Sequence, residues 1–223
     1  MAAAGAGGGA VTPKGQGGGL VALMLVLGAS SSSSPTSAQD AGGYFPPALR
    51  EKAYDCVMGG QSFKTEILSD FEVDWFAGQL DAAHEPPLAA IRDRPVLRFT
   101  WLRSFHPAVT VRVEGLNQER PVLVAKRLAG VDGEVREGVD EIIERPLTLD
   151  EAAGLARLLR DTNLSEVPAT DCNIGLDGSE WLIETAGPTG YAFYKRWSPE
   201  DGEIRRIGLY LLDLTGWDVG PVY

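Results

Sequence analysis

The stretch from Gly175 to Gly216 constrains the fold more than any other part of the chain, because it spells out a hairpin followed by a helix. Asp177-Gly178 is a turn pair, and Glu180 to Thr185 is a short run of aromatic and β-favouring residues. Ala186 to Gly190 (AGPTG) is a breaker of hairpin-loop length, and Tyr191 to Trp197 (YAFYKRW) reads as the return strand. Alternation puts Tyr191, Phe193, Lys195 and Trp197 on one face of that strand and Ala192, Tyr194 and Arg196 on the other. Ser198-Pro199-Glu200-Asp201 supplies a cap, a proline suited to a first helical position and two acids that favour a helix N-terminus. Gly202 delays the start, so the helix is expected from Glu203, with Ile204, Ile207, Leu211 and Leu214 as its apolar stripe and Gly216 as its stop.

Upstream lie four strand candidates: Pro95 to Phe105, Val109 to Glu114, Pro121 to Leu128 and Val139 to Glu144. Val109, Val111 and Val113 share one face of the second, while Thr110, Arg112 and Glu114 share the other, the pattern of a half-buried antiparallel strand. Arg98, Arg112 and Lys126 are expected on the exposed or helix-flanking face of the sheet, with solvation the favoured reading because polar sheet faces normally carry such residues. Thr148 to Thr162 is a well-marked helix, with Thr148 and Glu151 as a capping box and Ala152, Leu155, Ala156, Leu158 and Leu159 as its apolar face. The order is strand meander, helix, hairpin, helix. It predicts an α+β fold with a mostly antiparallel sheet and helices packed on one face. Before the meander, Pro47 to Val57 reads as a short helix and Pro87 to Ile91 as one helical turn, while Ser69 to Leu80 mixes two periodicities and stays unassigned.

Residues 1–38 read as a signal peptide: an Ala/Gly stretch, the apolar run LVALMLVLGA from Leu20 to Ala29, then Thr36-Ser37-Ala38 as a cleavage site. Ten apolar residues are too few for a span that needs about 20, so no transmembrane segment is expected in the mature chain. Residues 39–94 form an N-terminal, partly helical segment and 95–223 the α+β domain, together one compact unit. The expected location is periplasmic or extracellular. There the two cysteines, Cys56 and Cys172, are expected to pair as a disulfide. The formal net charge of −11 repels phosphate backbones and excludes general nucleic-acid binding.

The segments Trp101 to His106, Asp177 to Trp181 with Glu184, and Arg196 to Glu200 (RWSPE) resemble those of a family of small, uncharacterised exported bacterial proteins. The resemblance runs from about Trp75 to Leu214. It implies a bacterial envelope protein and brings no catalytic assignment.

Motifs for chemistry are sparse. The two histidines, His84 and His106, show no metal-ligand spacing, and there is no Cys-x-x-Cys, no Gly-x-Ser-x-Gly and no phosphate loop, so neither a metal nor a cofactor is expected. Glu180 and Glu184 would lie about 13 Å apart on one strand face, too far for a glycosidase pair. Arg196 reads as the cross-strand partner of Glu184 or Glu180. An exported binding or interaction protein, for an unknown protein or small ligand, therefore leads. Its expected surface is Trp181 and Trp197 flanked by Glu184 and Arg196, provided that the tryptophans are not packed under Ile204, Ile207 and Leu211. The alternative is a hydrolase using carboxylates near the 177–197 hairpin, with no catalytic residue assigned.

Overall fold

The computed structural model describes residues 43–51, 53–131 and 134–223; the leader expected at 1–38 lies outside them. Eight strands and four helices are described, in the order α1 (Ala48–Glu51), β1 (Ala53–Met58), β2 (Gln61–Glu66), α2 (Asp70–Ala82), β3 (Val96–Arg103), β4 (Val109–Glu114), β5 (Val122–Val131), β6 (Glu134–Pro146), α3 (Leu149–Thr162), β7 (Ser179–Gly187), β8 (Gly190–Trp197) and α4 (Gly202–Asp213). Strands β3 to β8 form one antiparallel sheet in the order β6-β5-β4-β3-β7-β8, and β1 and β2 form a separate antiparallel hairpin. The fold is α+β with antiparallel sheets.

Alternation decides what each sheet face carries. Leu97, Phe99 and Trp101 of β3, Val109, Val111 and Val113 of β4, Leu123 and Ala125 of β5, and Trp181 and Ile183 of β7 build one apolar core. Helices α3 and α4 cover it with Leu155, Ile204, Ile207, Leu211 and Leu212. Thr148 and Glu151 make the expected capping box of α3, and Arg145 grips the same Glu151 carboxylate with both terminal nitrogens, at 2.7 and 2.8 Å. Gly208 is what lets α4 lie so close: a Cβ there would fall 2.5 Å from the Trp181 ring.

The opposite face is covered too. Helix α2 occupies the segment that the sequence left unassigned, and it packs Val73, Phe76, Ala77 and Leu80 with Leu102, Leu182 and Phe193. Helices on one face is therefore a description of α3 and α4 alone. The expected helix at 47–57 stops at Glu51, and Ala53 starts β1, which turns at Gly59-Gly60 into β2. Both glycines have positive φ, 59° and 79°, as a two-residue hairpin turn of the primed type requires.

Because α2 and the chain after it cover this face, Arg98, Arg112 and Lys126 are buried rather than solvated. They converge on Glu85. Its carboxylate lies 2.7 Å from Arg112 Nε, 2.9 Å from Lys126 Nζ and 3.8 Å from Arg98 Nη1. Arg98 also pairs with Glu184 at 2.6 Å and donates to the Pro86 carbonyl at 2.7 Å, while Lys126 donates to the carbonyls of Ala83 and His84 at the C-terminal end of α2. A buried charge is tolerated when it is paired and hydrogen-bonded. Each of these charges has an oppositely charged partner here, and the contacts fix the 83–86 segment onto the sheet.

Candidate functional site

A cleft of about 390 Å³ opens on the α2 side of the sheet, at its β7–β8 edge. Its floor is Glu180 of β7 with Lys195 and Trp197 of β8, three residues that alternation and register bring to the same face. One wall is the first turn of α2 and the residues beside it, with Phe71, Glu72 and Trp75. Ser69 caps that helix by accepting from the Glu72 amide, and the Glu72 carboxylate accepts in return from the Ser69 amide. A second wall is the β1–β2 hairpin, which contributes Phe63, Thr65 and Glu66. The third is the 170–175 segment.

That segment is held at both ends of its contact with the cleft. Thr170 bridges Lys195 in parallel, extending the outer edge of β8, and the Lys195 amide donates to Ala169. Cys172 is disulfide-bonded to Cys56 of β1, with 5.7 Å between the α-carbons, so the expected pairing joins two walls of the cleft. Gly175 then lies against the Trp197 ring, where a Cβ would meet the indole nitrogen at 2.1 Å. Phe71 and Ile174 stand at the mouth, each 73 % exposed.

Electrostatically the floor is unbalanced. Lys195 pairs with Glu72, which leaves Glu180 without that cation as a hydrogen-bond donor. Glu180 is 6 % exposed, and its Oε2 has no hydrogen-bond partner among the described residues. Burial raises its pKa to about 7; Lys195 pulls the value down, and Glu72 and Asp171 push it up. A carboxyl group desolvated in a cleft and titrating near neutrality is the kind of group found at functional sites. On the other side of the molecule, Glu151 shows the opposite behaviour: hydrogen bonds from Arg145 draw it down to about 2.

The four residues that the sequence put forward do not form one surface. The register pairs Glu180 with Trp197, Glu184 with Phe193 and Trp181 with Arg196, which divides the four between the two sheet faces. Trp181 is fully buried beneath α4, and its indole nitrogen donates to Ser179 Oγ and to the Tyr223 carbonyl. Glu184 is fully buried against Arg98 and accepts from the Tyr191 hydroxyl, whose own pKa is raised well above its usual value by burial and by that carboxylate. Arg196 is not its partner. It donates to the Pro168 carbonyl and lies 3.8 Å from Asp171. Trp197 alone reaches the cleft, half-buried.

Most of the cleft comes from residues that the sequence reading passed over. Ser69-x-x-Glu72 is the same capping-box signature that marked α3, and it would have identified α2 and with it Phe71 and Trp75. Gly59-Gly60 between two runs of alternating residues is likewise a hairpin signal. His106 pairs with the Tyr223 hydroxyl at 2.8 Å, away from the cleft. Among the described residues no group of three His, Cys, Asp or Glu is placed to hold a metal, and no helix is long and apolar enough to cross a membrane. No protein-family model matches the chain, and a search of curated proteins finds no significant relative.

Proposed function

We propose that the chain is an exported binding protein of the bacterial envelope and that it takes a small ligand with an apolar body into the cleft over Glu180. The observation that carries this reading is the combination of an aromatic-walled cleft with a buried carboxyl oxygen that has no partner. Ligand sites have this composition, with mostly apolar walls and a few polar groups that orient the ligand. Export is supported by the leader pattern at 1–38, by the resemblance to exported bacterial proteins and by the Cys56–Cys172 disulfide, a bond that persists in oxidising compartments. The cleft takes over from the hairpin's aromatic surface as the place where binding occurs, and Trp197 is common to both.

One observation favours the hydrolase alternative. A glutamic acid that keeps its proton to about pH 7 can serve as a general acid. The nearest other carboxylate on that strand, Glu184, already too distant by strand spacing for a glycosidase pair, is fully buried in an ion pair with Arg98. Binding is therefore the better reading. Tryptophan fluorescence titrated with a panel of small aromatic compounds tests it, with Phe71→Ser/Ile174→Ser as the control that strips the mouth of two exposed apolar side chains. Saturable quenching weakened in that variant supports the cleft. Turnover of chromogenic esters or glycosides, abolished by Glu180→Gln, would replace binding with hydrolysis.

A further inference from the structure

We infer that the cleft selects cationic ligands, an organic ammonium group on an apolar body, with the Glu180 carboxylate as the counter-ion. The inference rests on the reading of the cleft as a ligand site and adds the charge of what it takes. Three acids accompany Glu180 in or beside the cleft: Glu66 from β2, Glu72 from α2 and Asp171 from the 170–175 segment. Among the described residues the one cation facing Glu180 is Lys195 of β8, and it is drawn to Glu72. Arg196, on the far side of the sheet edge, faces Asp171. A carboxylate ligand would thus enter a site that is already negative. A neutral hydrocarbon would leave the buried Glu180 oxygen with nothing to bond it. An ammonium group meets both conditions: it donates to the unpartnered oxygen and reduces the excess of negative charge. The walls suit the same chemistry, since Phe63, Phe71, Trp75 and Trp197 line the cleft and aromatic rings attract cations over their faces. The chain's net charge of −11 adds a long-range bias in the same direction.

The ionisation of Glu180 gives the inference a second readout. Burial holds the proton on this group until about pH 7, so below that value an arriving ammonium must displace it. Binding then releases a proton, and affinity rises with pH up to about 7 and levels off above. Neither histidine of the chain lines the cleft, so no imidazole in it titrates over the same range.

The test is calorimetric titration of the mature chain with three probes of similar size and different charge: phenethylammonium, 2-phenylethanol and 3-phenylpropanoate. Affinities of about millimolar are expected for probes this small. Phenethylammonium should bind tightest, with its affinity rising about tenfold between pH 6 and pH 8, a range over which the amine stays protonated. Glu180→Gln should remove that pH dependence and weaken phenethylammonium about tenfold or more, a larger loss than that of 2-phenylethanol, whose hydroxyl carries no charge. The wild-type pH profile carries the test independently if the variant folds poorly. Binding of 3-phenylpropanoate as tight as that of the amine, or an amine affinity indifferent to pH and to Glu180→Gln, overturns the inference. If in that case the probes still lose affinity in Phe71→Ser/Ile174→Ser, the cleft stands as a ligand site and only its charge preference falls. No binding by any probe overturns the cationic preference, and a blank aromatic panel would then remove the ligand site as well.

Discussion

Glu180 illustrates how one residue's surroundings, and not its type, set its role. In the unfolded chain it ionises like any glutamate, near pH 4.5; in the fold it keeps its proton to about pH 7. The folded form therefore holds more protons between those values, and stability falls as pH rises through that window. Above it the buried carboxylate costs the fold on the order of 3 kcal/mol. Glu180→Gln should be more stable than the wild type at pH 8 by up to that amount and nearly equal to it at pH 4.5, as read from urea denaturation across the range. A difference independent of pH would show that the group is solvated. The tryptophans separate in the same way. Trp181→Ala empties a packed site beneath α4 and should cost about 3–5 kcal/mol. The half-buried Trp197 should yield a smaller loss on Trp197→Phe, together with weaker ligand binding. Strand parity was legible from the sequence, and it correctly gave Trp197 and Lys195 a common face. Which of the two faces was free to bind was not, because that depends on what the rest of the chain lays over each.

At the scale of elements, those with strong local signals were readable and those stabilised by distant contacts were not. Helix α3 announces itself through Thr148 and Glu151, and the hairpin β7–β8 through the breaker at Ala186 to Gly190. Because hydrogen bonds hold Glu151 down to about 2, the stability it lends is present above about pH 4.5 and is lost as pH falls toward 2. Hairpin β1–β2 has no comparable signature beyond its two glycines. Exposed side chains dominate β2, and two strands alone are marginal in water. The disulfide supplies what packing does not. It closes a loop spanning 116 positions, which by chain entropy is worth about 4–5 kcal/mol. Cys56→Ser/Cys172→Ser should therefore lower stability by up to that amount, and it should also free the hairpin and the 170–175 segment from each other. The expected outcome is a lower urea midpoint together with loss of ligand-induced fluorescence change. A variant that keeps full binding would mean that the cleft walls stand without the bond.

For the whole molecule, the deepest departure from the sequence reading is the buried charge beneath α2. Arg98 sits in the central strand β3 between Arg112 and Glu184, and a polar residue alternating with Leu97 and Phe99 looks the same in sequence whether water or a helix lies above it. Only the packing of α2 and the 83–86 segment makes the difference, and those contacts are remote in the chain. The consequence is testable. Removing one member of a fully desolvated pair strands the other, at a cost of about 3–5 kcal/mol, whereas replacing both with apolar side chains of similar volume is often close to neutral. Arg98→Met should leave Glu184 with only the Tyr191 hydroxyl, and Glu184→Leu should leave Arg98 with the Pro86 carbonyl and a distant edge of Glu85. Each single variant should therefore be severely destabilised. The double variant Arg98→Met/Glu184→Leu should lose much less than the sum, a coupling read directly from a double-mutant cycle of urea midpoints. It will not return fully to the wild-type value, because Arg98 also anchors Pro86 and completes the ring of cations around Glu85. Strictly additive losses would mean that water reaches this face and that α2 does not seal it.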